Sequence, residues 1–253
     1  MRSTVALPLI LSLTWCSVVA CGDDGGDKAG DAAVSKQSGE VNCTDESISK
    51  LTLFSDKPNP AEIFNDKQGE GFLTEIDVTA GGMSPTLPYV YLKFAEDGLE
   101  PVAINDEDAF ESKDWDIAAR RFVLRLNSGV SGPGKVKAAR TAPKTEFDKL
   151  TSVPDGLEFR AEEYFTDSCD FINDSSGIGS PGTALASFWS YEACVAMTHN
   201  VYIISVDRPQ ARHVKLEVMS YYLPDRQKIC DETGMVPNPS GAGHMQLRWA
   251  FVD

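Results

Sequence analysis

The sequence predicts an all-β fold of mostly antiparallel sheets, sandwich-like, with one or two short helices. Three observations lead to this prediction. Apolar residues alternate with polar residues at a period of two in several segments, clusters of Gly, Pro, Asn and Asp separate those segments, and patterns with the helical period of 3.6 are scarce. A period of two places every second side chain on one face, as in a half-buried strand. We therefore expect a single β domain over residues 46–253.

The N-terminus has the layout of a secretory signal. Arg2 precedes the apolar run "VALPLILSLTW", and small residues lead to Cys21. The apolar run is shorter than the roughly 20 residues that a transmembrane helix needs. "VVAC" at 18–21 has the form of a bacterial lipobox, which predicts a signal peptide over 1–20 and a lipidated Cys21 (palmitate). The alternative is an ordinary signal peptide followed by a chance cysteine.

Residues 21–45 are predicted to be the lipidated cysteine and a flexible acidic linker. The stretch "GDDGGDKAGDAAVSKQSGE" has no aromatic residue, and Val34 is its one large aliphatic residue. Such a segment buries too little apolar surface to offset the entropy lost on ordering. A lipid on Cys21 would hold the following domain at a membrane without spanning it. We expect an exported protein, anchored to the cell envelope at the outer membrane or cell surface of a bacterium.

Five segments have the alternation expected of strands. In "RFVLRLN", Phe122, Leu124 and Leu126 point one way, and in "VYIISV" both faces are apolar, as in a strand covered on two sides. In chain order, the predicted strands are "YVYLKFAEDG" from 89, which ends at an Asp-Gly turn, "RFVLRLN" at 121–127, "VYIISV" at 201–206, "HVKLEVMSYY" at 213–222 and "HMQLRWAFV" at 244–252.

Two segments are the candidates for short helices. They are "TEFDKLTSV" at 145–153 and "SFWSYEACVAM" at 187–197. Neither has a long apolar stripe, so each would be short.

The cysteines predict two structural disulfides. Of the six cysteines, Cys16 would leave with the signal peptide and Cys21 would carry lipid. The four that remain are Cys43, Cys169, Cys194 and Cys230. An even number in an exported chain indicates disulfides, and three pairings are open. The spacing has no C-x-x-C pair, which argues against a zinc site.

The charge of the chain restricts its partners. The formal net charge is −15, and removal of residues 1–20 takes it to −16, because Arg2 is the one charged side chain in that segment. A chain this acidic is a poor candidate for nucleic acid, and we predict no nucleic-acid partner. One segment differs: Arg120, Arg121, Arg125, Lys135, Lys137, Arg140 and Lys144 occur without an acidic residue between them. It is either the solvated face of a hairpin or a local site for a small anion.

No catalytic motif is present. Gly129, Gly134 and Lys135 have the spacing of a phosphate loop, but Val136 stands where a hydroxyl should coordinate magnesium, and "VKAARTAPK" is a weak helix. The stretch "NSGVSGPGK" is better explained as a glycine-rich turn after a strand. There is no G-x-S-x-G and no H-E-x-x-H. We predict a protein that is not an enzyme.

The same region resembles a known family. "DWDIAARRFVLRLNSGVSGPGKVKAA" at 114–139 is similar to the HmuY family of haem-binding bacterial lipoproteins. Three further pieces occur in the family's order: "YVYLKFAEDGLEPV" at 89–102, the strand pair within 191–224 and "MQLRWAF" at 245–251. The resemblance covers about residues 72–253. It implies a β domain that holds haem at the envelope and passes it towards an outer-membrane uptake receptor during iron acquisition.

The resemblance also suggests ligands. Members of this family hold the haem iron with His or Met side chains, and thioether or imidazole ligation of haem iron is common. We predict His199 as a haem iron ligand and Met197 beside it in the cofactor site, since a period of two would place both on one face. The other histidines, His213 and His244, are expected at turns or on the surface. No second axial ligand is identified.

Other side chains could complete a pocket. Arg120, Arg121 and Arg125 could meet haem propionates, and a set of aromatic residues could line the cavity or pack in the core. That set is Trp189, Tyr191, Tyr221, Tyr222 and Trp249. The predicted partners are haem or haem-carrying proteins. The alternative is a HmuY-like envelope interaction module that has lost its haem site, which the scarcity of histidine favours.

Overall fold

The computed structural model describes residues 41–82, 84–208 and 212–253. The predicted signal peptide, the lipidated Cys21 and the linker up to residue 40 lie outside this range and stay predictions. The described strands are β1 Ile63–Gln68, β2 Gly71–Asp77, β3 Val90–Ala95, β4 Gly98–Val102, β5 Ile117–Arg120, β6 Val123–Leu126, β7 Lys137–Arg140, β8 Trp189–Tyr191, β9 Val195–Met197, β10 Val201–Val206, β11 Arg212–Ser220 and β12 His244–Val252. The helices are α1 Thr44–Lys50 and α2 Pro224–Thr233.

The strands form three antiparallel sheets. A six-stranded sheet has the order β1-β2-β12-β11-β10-β7, a four-stranded sheet has the order β4-β3-β5-β6, and β8 and β9 form a separate hairpin. Every pairing between these strands is antiparallel. The predicted all-β class is confirmed. Within the described ranges, no helix has both the length and the apolar character needed to cross a bilayer.

The main hydrophobic core lies between the two large sheets. Leu92 and Leu124 from the four-stranded sheet and Leu216 and Trp249 from the six-stranded sheet belong to it, and each is fully buried. The outer faces are covered as well. Tyr91 and Ala118 face a second core that includes residues near α1, and Val201 and Ile203 face a third that includes Phe147 and Leu150. Strands covered on both faces explain the continuous apolar run of β10.

Asn65 joins the edges of the two large sheets. It lies on β1, and its side-chain amide donates to the Leu99 carbonyl of β4 (3.1 Å) while its side-chain oxygen accepts from the Leu99 amide (3.0 Å). Thr74 of β2 donates to the same oxygen (2.7 Å). The facing residue must be glycine, because a Cβ on Gly98 would lie 2.4 Å from the Asn65 side chain. This Asn65 junction closes one side of the sandwich.

The glycine-rich stretch after β6 is a turn, as predicted. Gly134 donates its amide to the Asn127 side-chain oxygen (2.9 Å), and β7 follows where a phosphate loop would open a helix. Gly129 has φ +56°, and a Cβ there would lie 2.1 Å from the Glu162 carbonyl oxygen. The glycines therefore serve close backbone packing, and no phosphate cradle is formed.

Both predicted helices are wrong. The first segment contains only a 3-10 turn, Phe147–Lys149. The second contains a 3-10 turn, Ala186–Phe188, and then the β8–β9 hairpin. Short apolar runs do not distinguish strand from helix, and here Cys194 turns the chain between two three-residue strands.

The two true helices were missed. Helix α1 is short, and α2 buries only Gln227 and Cys230, so neither presents an apolar stripe. The ends of α2 were nevertheless readable. Pro224 stands in its first turn, and Gly234 ends it in the left-handed conformation (φ 71°).

The two predicted disulfides are present, and the structure gives their pairing. Cys43 is joined to Cys169, and Cys194 is joined to Cys230. The first ties the residue before α1 to the loop after Phe165. The second ties the β8–β9 hairpin to α2.

Candidate functional site

The largest aromatic-lined opening is a cleft of about 590 Å³ at one end of the sandwich. We call it the aromatic cleft. Its aromatic lining consists of Tyr89, Phe122, Phe171, Tyr191, Tyr221 and Tyr222. Its charged lining consists of Lys50, Arg120 and Arg121. The volume and the mixture of apolar walls with a few polar groups are typical of a small-molecule site.

A tight hairpin turn presents two of these residues. Arg120 pairs with Val123, so Arg121 and Phe122 are the two turn residues between β5 and β6. Arg121 has φ +54°, the left-handed conformation that two-residue hairpins use. The predicted strand at 121–127 therefore begins two residues late, at Val123. The turn places the Phe122 ring against Trp189 (5.1 Å between centroids) and Tyr221 (5.7 Å).

Gln227 of α2 holds the opposite wall together. Its side-chain oxygen accepts from the amides of Tyr221 (2.9 Å) and Tyr222 (3.2 Å), and its side-chain nitrogen donates to the Val195 carbonyl (3.0 Å). The Cys194–Cys230 disulfide links the same two elements. One buried amide and one disulfide thus fix the hairpin, α2 and the end of β11 relative to one another.

Arg120 anchors the wall next to α1. Its guanidinium donates to the carbonyls of Leu51 and Thr52 and lies 3.6 Å from an Asp106 carboxylate oxygen. It also lies over the Tyr89 ring, 4.2 Å from the centroid, which is cation–π geometry. Arg120 therefore serves mainly to build the cleft.

The basic cluster of the sequence is divided by the fold. Arg120 and Arg121 line the cleft, but Arg125 is fully buried in the second core, where it donates to the Tyr91 hydroxyl (2.8 Å). A lysine from another part of the chain contributes instead: Lys50 comes from the last turn of α1. Among the described lining residues there are three cations and no carboxylate. In a chain of net charge −15, this is a local positive site.

The tyrosines of the cleft are neutral at physiological pH. Burial raises the pKa of Tyr221 to about 12, although the nearby Arg121 guanidinium acts in the opposite direction. Burial also raises the pKa of Tyr222, whose hydroxyl accepts from the Val195 amide (3.1 Å). A phenol that keeps its proton is a hydrogen-bond donor and a weak metal ligand.

The predicted ligands His199 and Met197 do not face one common cleft. Strand β9 ends at Met197, and His199 has φ +53°, so the period-two geometry stops before His199. Met197 is buried in the main core, on the same strand face as the cleft residue Val195. The His199 ring is half exposed, and its Nδ1 lies 3.0 Å from Glu217 Oε1. Because Glu217 alternates with the core residue Leu216, that ring lies on the outer side of the sheet.

His199 gives a pH-dependent contribution to stability. The hydrogen bond with Glu217 raises the pKa of His199 above its ordinary value, with burial opposing it. The paired, charged form is therefore fully favourable below about pH 6.5, and its contribution is lost as pH rises through the raised pKa. Since the ring is half exposed, the contribution is below about 1 kcal/mol.

We therefore expect His199→Gln to lower the free energy of unfolding at pH 5.5 and to have almost no effect at pH 9. Urea denaturation at both pH values measures this difference. His213→Gln is the matched control, since His213 has no carboxylate hydrogen bond among the described contacts. An equal loss at both pH values would show that the Glu217 pair is not the cause.

The remaining aromatic candidates separate in the same way. Tyr191, Tyr221 and Tyr222 line the cleft, as the sequence suggested. Trp249 is fully buried in the main core and stacks on Phe72 (4.8 Å between centroids). Trp189 is a core residue behind Phe122. Sequence reasoning missed Phe122 as a lining residue because it was assigned to a strand, and missed Lys50 because α1 was not predicted.

The residues of the cleft fit the organic part of a haem-like group better than its iron. Aromatic walls suit a flat macrocycle, and Lys50 and Arg121 suit its carboxylates. The described lining contains no histidine, cysteine or methionine, so its iron-binding side-chain type is tyrosine. Elsewhere in the described part of the chain, no group of three or more His, Cys, Asp or Glu residues could hold a metal ion.

Comparison with known proteins gives one match in sequence. The family model described as "HmuY protein" matches residues 86–231. No protein of curated function matches the chain.

Three solved structures are similar to the chain at low identity. A protein described as HmuY-like and heme binding, from Bacteroides vulgatus, has 14% identity and a TM-score of 0.45 over 77% of this chain and 97% of that one. An apo HmuY analog from Tannerella forsythia has 15% identity and a TM-score of 0.40 over 78% and 100%. A protein described as a lipoprotein, from Bacteroides fragilis, has 15% identity and a TM-score of 0.45 over 73% and 90%. We draw no argument about the site from similarities of this size.

Proposed function

Because the chain belongs to the HmuY family, we propose that it is a lipid-anchored protein of the cell envelope that binds haem or a related tetrapyrrole. In this proposal it holds the ligand for acquisition or transfer and does not convert it. Cys21 would carry the lipid, residues 21–45 would be the linker, and an outer-membrane uptake receptor would be the partner. The aromatic cleft would be the binding site.

The composition of the cleft carries this proposal. Its walls are aromatic, and its charged residues are Lys50, Arg120 and Arg121, without a carboxylate in the described lining. A ligand that suits this surface is flat, apolar over most of its area and anionic at one edge. Haem and other propionate-bearing tetrapyrroles have these properties.

The geometry also suggests how the wall residues would act on such a ligand. Phe122 and Tyr191 lie on opposite elements, a hairpin turn and β8, so a flat ring between them would be covered on two sides. Tyr191 is 42% exposed, which leaves its ring available for stacking. Lys50 ends α1 with an exposed ammonium that could meet a carboxylate at the rim. Haem iron would supply coordination when bound, and the chain's own contribution would be shelter and charge.

A second candidate function is a HmuY-like interaction module without a haem site. The observation in its favour is that the described cleft lining has no histidine or methionine. Such a module would use the same exposed aromatic surface to contact another envelope protein.

Haemin titration of the full chain separates the two candidates. We expect a shifted Soret band and saturation at one equivalent. Lys50→Glu should weaken haemin binding about tenfold, since it turns an attraction for a carboxylate of about 1 kcal/mol into a repulsion. Lys57→Glu is the matched control, because Lys57 is exposed and carries the same charge but lies outside the cleft. An unchanged haemin spectrum removes the proposed function and favours the interaction module.

Two further variants test the ligands predicted from the sequence. If Met197 or His199 ligates iron, then Met197→Ala or His199→Ala abolishes the Soret shift. If the aromatic cleft holds the ligand without them, both variants retain it. Met197→Ala also removes core packing, so its unfolding should be checked before the spectra are compared.

A further inference from the structure

Tyr221 has a buried hydroxyl without a partner in the wall of the aromatic cleft. The residue is 1% exposed, and its hydroxyl oxygen is among the few buried side-chain atoms of the described chain that have no hydrogen-bond partner. Buried polar atoms are almost always paired, and leaving one unpaired destabilises the fold. A phenylalanine would avoid this cost and would keep the ring contacts with Phe122 and Tyr222.

The neighbouring residue shows that the missing partner is not found within the fold. Tyr222 has its hydroxyl satisfied by the Val195 amide (3.1 Å), and its ring lies 5.0 Å from that of Tyr221. The two tyrosines therefore share one wall but differ in one property. Tyr222 uses its hydroxyl to build the protein, and Tyr221 does not.

The surroundings of Tyr221 indicate the charge of the acceptor that would satisfy it. The Arg121 guanidinium carbon lies 5.8 Å from the Tyr221 ring centroid, and Arg121 and Lys50 line the same cleft, whose described lining has no carboxylate. A phenol donor beside a fixed cation favours an anionic oxygen acceptor over a neutral one. Among anionic groups of flat aromatic ligands, a carboxylate fits both the donor and the cation.

We propose that the Tyr221 hydroxyl and the Arg121 guanidinium form a carboxylate subsite in the aromatic cleft, which selects tetrapyrroles with free propionates over uncharged ones. This inference rests on the proposed function, since it assigns the polar end of the same ligand. On binding, the Arg121 side chain moves from above the Tyr221 ring onto the carboxylate. The hydroxyl beneath it is then uncovered and donates to the same group.

The test compares two probes on the full chain, haemin and haemin dimethyl ester, in which both carboxylates are blocked. We expect the wild-type chain to bind haemin at least tenfold more tightly than the ester. Tyr221→Phe should weaken haemin binding about tenfold and leave ester binding unchanged, because a hydrogen bond to a charged group contributes roughly that factor. Its melting temperature should equal or exceed that of the wild type, because no hydrogen bond within the fold is lost.

Tyr222→Phe is the matched control. It removes the acceptor of the Val195 amide, so its melting temperature should fall, while the ratio of haemin to ester affinity stays as in the wild type. If the wild type binds haemin and Tyr221→Phe binds both probes as the wild type does, the subsite is overturned and the proposed function stands. The subsite is likewise overturned if Tyr221→Phe weakens the binding of both probes equally. If the wild type binds neither probe, the proposed function fails together with the subsite.

Discussion

Replacing Glu162 by alanine is expected to lower the free energy of unfolding by about 3 kcal/mol. Glu162 is fully buried, and its two carboxylate oxygens accept from the backbone amides of Leu126 (2.8 Å) and Ala184 (3.0 Å). The first amide belongs to the edge strand β6 and the second to the loop before β8. Alanine leaves both amides buried without acceptors, and each such group costs about 1–3 kcal/mol.

The effect of this replacement depends on pH. Burial raises the pKa of Glu162 from 4.5 to about 7, with the two backbone amides acting in the opposite direction. The folded chain therefore binds this proton more tightly than the unfolded chain. The resulting stability is fully present below pH 4.5 and is lost as pH rises through about 7. The difference between wild type and Glu162→Ala should therefore be larger at pH 5 than at pH 8.

Urea denaturation at both pH values measures this prediction. Glu163→Ala is the control, because the neighbouring carboxylate is exposed and should change stability by less than about 0.5 kcal/mol. A loss in Glu162→Ala no larger than that of the control would contradict the role given to the two amide hydrogen bonds. A loss that grows with pH would contradict the direction of the pKa shift.

Removal of the Cys194–Cys230 disulfide is expected to cost about 4 kcal/mol. The two cysteines are 36 residues apart, and the chain-entropy relation gives roughly this value for a loop of that length. The hairpin that it holds has two strands of three residues each, and an isolated two-stranded hairpin is marginal in water. The loss should therefore fall most heavily on the wall of the aromatic cleft that contains Tyr191 and Val195.

The double variant Cys194→Ser, Cys230→Ser tests this with two measurements. Urea denaturation gives the global loss, and amide hydrogen exchange gives its location. We expect the amides of Val195 and Met197, which donate to Tyr222 and Asp231, to lose protection first. The amide of Phe94 in the central strand β3 is the internal control, and it should exchange only with global unfolding. Equal loss of protection at all three amides would show that the disulfide does not stabilise the hairpin selectively.

Strands were predictable where alternation or apolarity was continuous. The segments at 201–206 and 244–252 coincide with β10 and β12, because their side chains meet cores whose positions repeat every second residue. Helix α2 was not predictable from periodicity, because it is held by the Gln227 side chain and the disulfide of Cys230, with no apolar stripe. Polar contacts of this kind leave no repeating pattern in a sequence.

The candidate site was predictable only in part. Tyr191, Tyr221 and Tyr222 were named as lining residues because they lie near one another along the late part of the chain. Lys50 comes from about 70 residues before Arg121 and reaches the cleft through α1, whose position depends on the Cys43–Cys169 disulfide. Which of three pairings forms cannot be derived from spacing, so this part of the site needed the structure. The roles of His199 and Met197 as ligands stay predictions.

The Asn65 junction has a consequence for solubility. Strands β1 and β4 end their sheets, and an open sheet edge is a template on which a second chain can add a strand. By engaging both the amide and the carbonyl of Leu99, Asn65 occupies the groups that an incoming strand would need. Each of the two edges thus caps the other. The domain is thereby guarded on this side against edge-to-edge aggregation, which suits a protein that lipid anchors would crowd together on a surface.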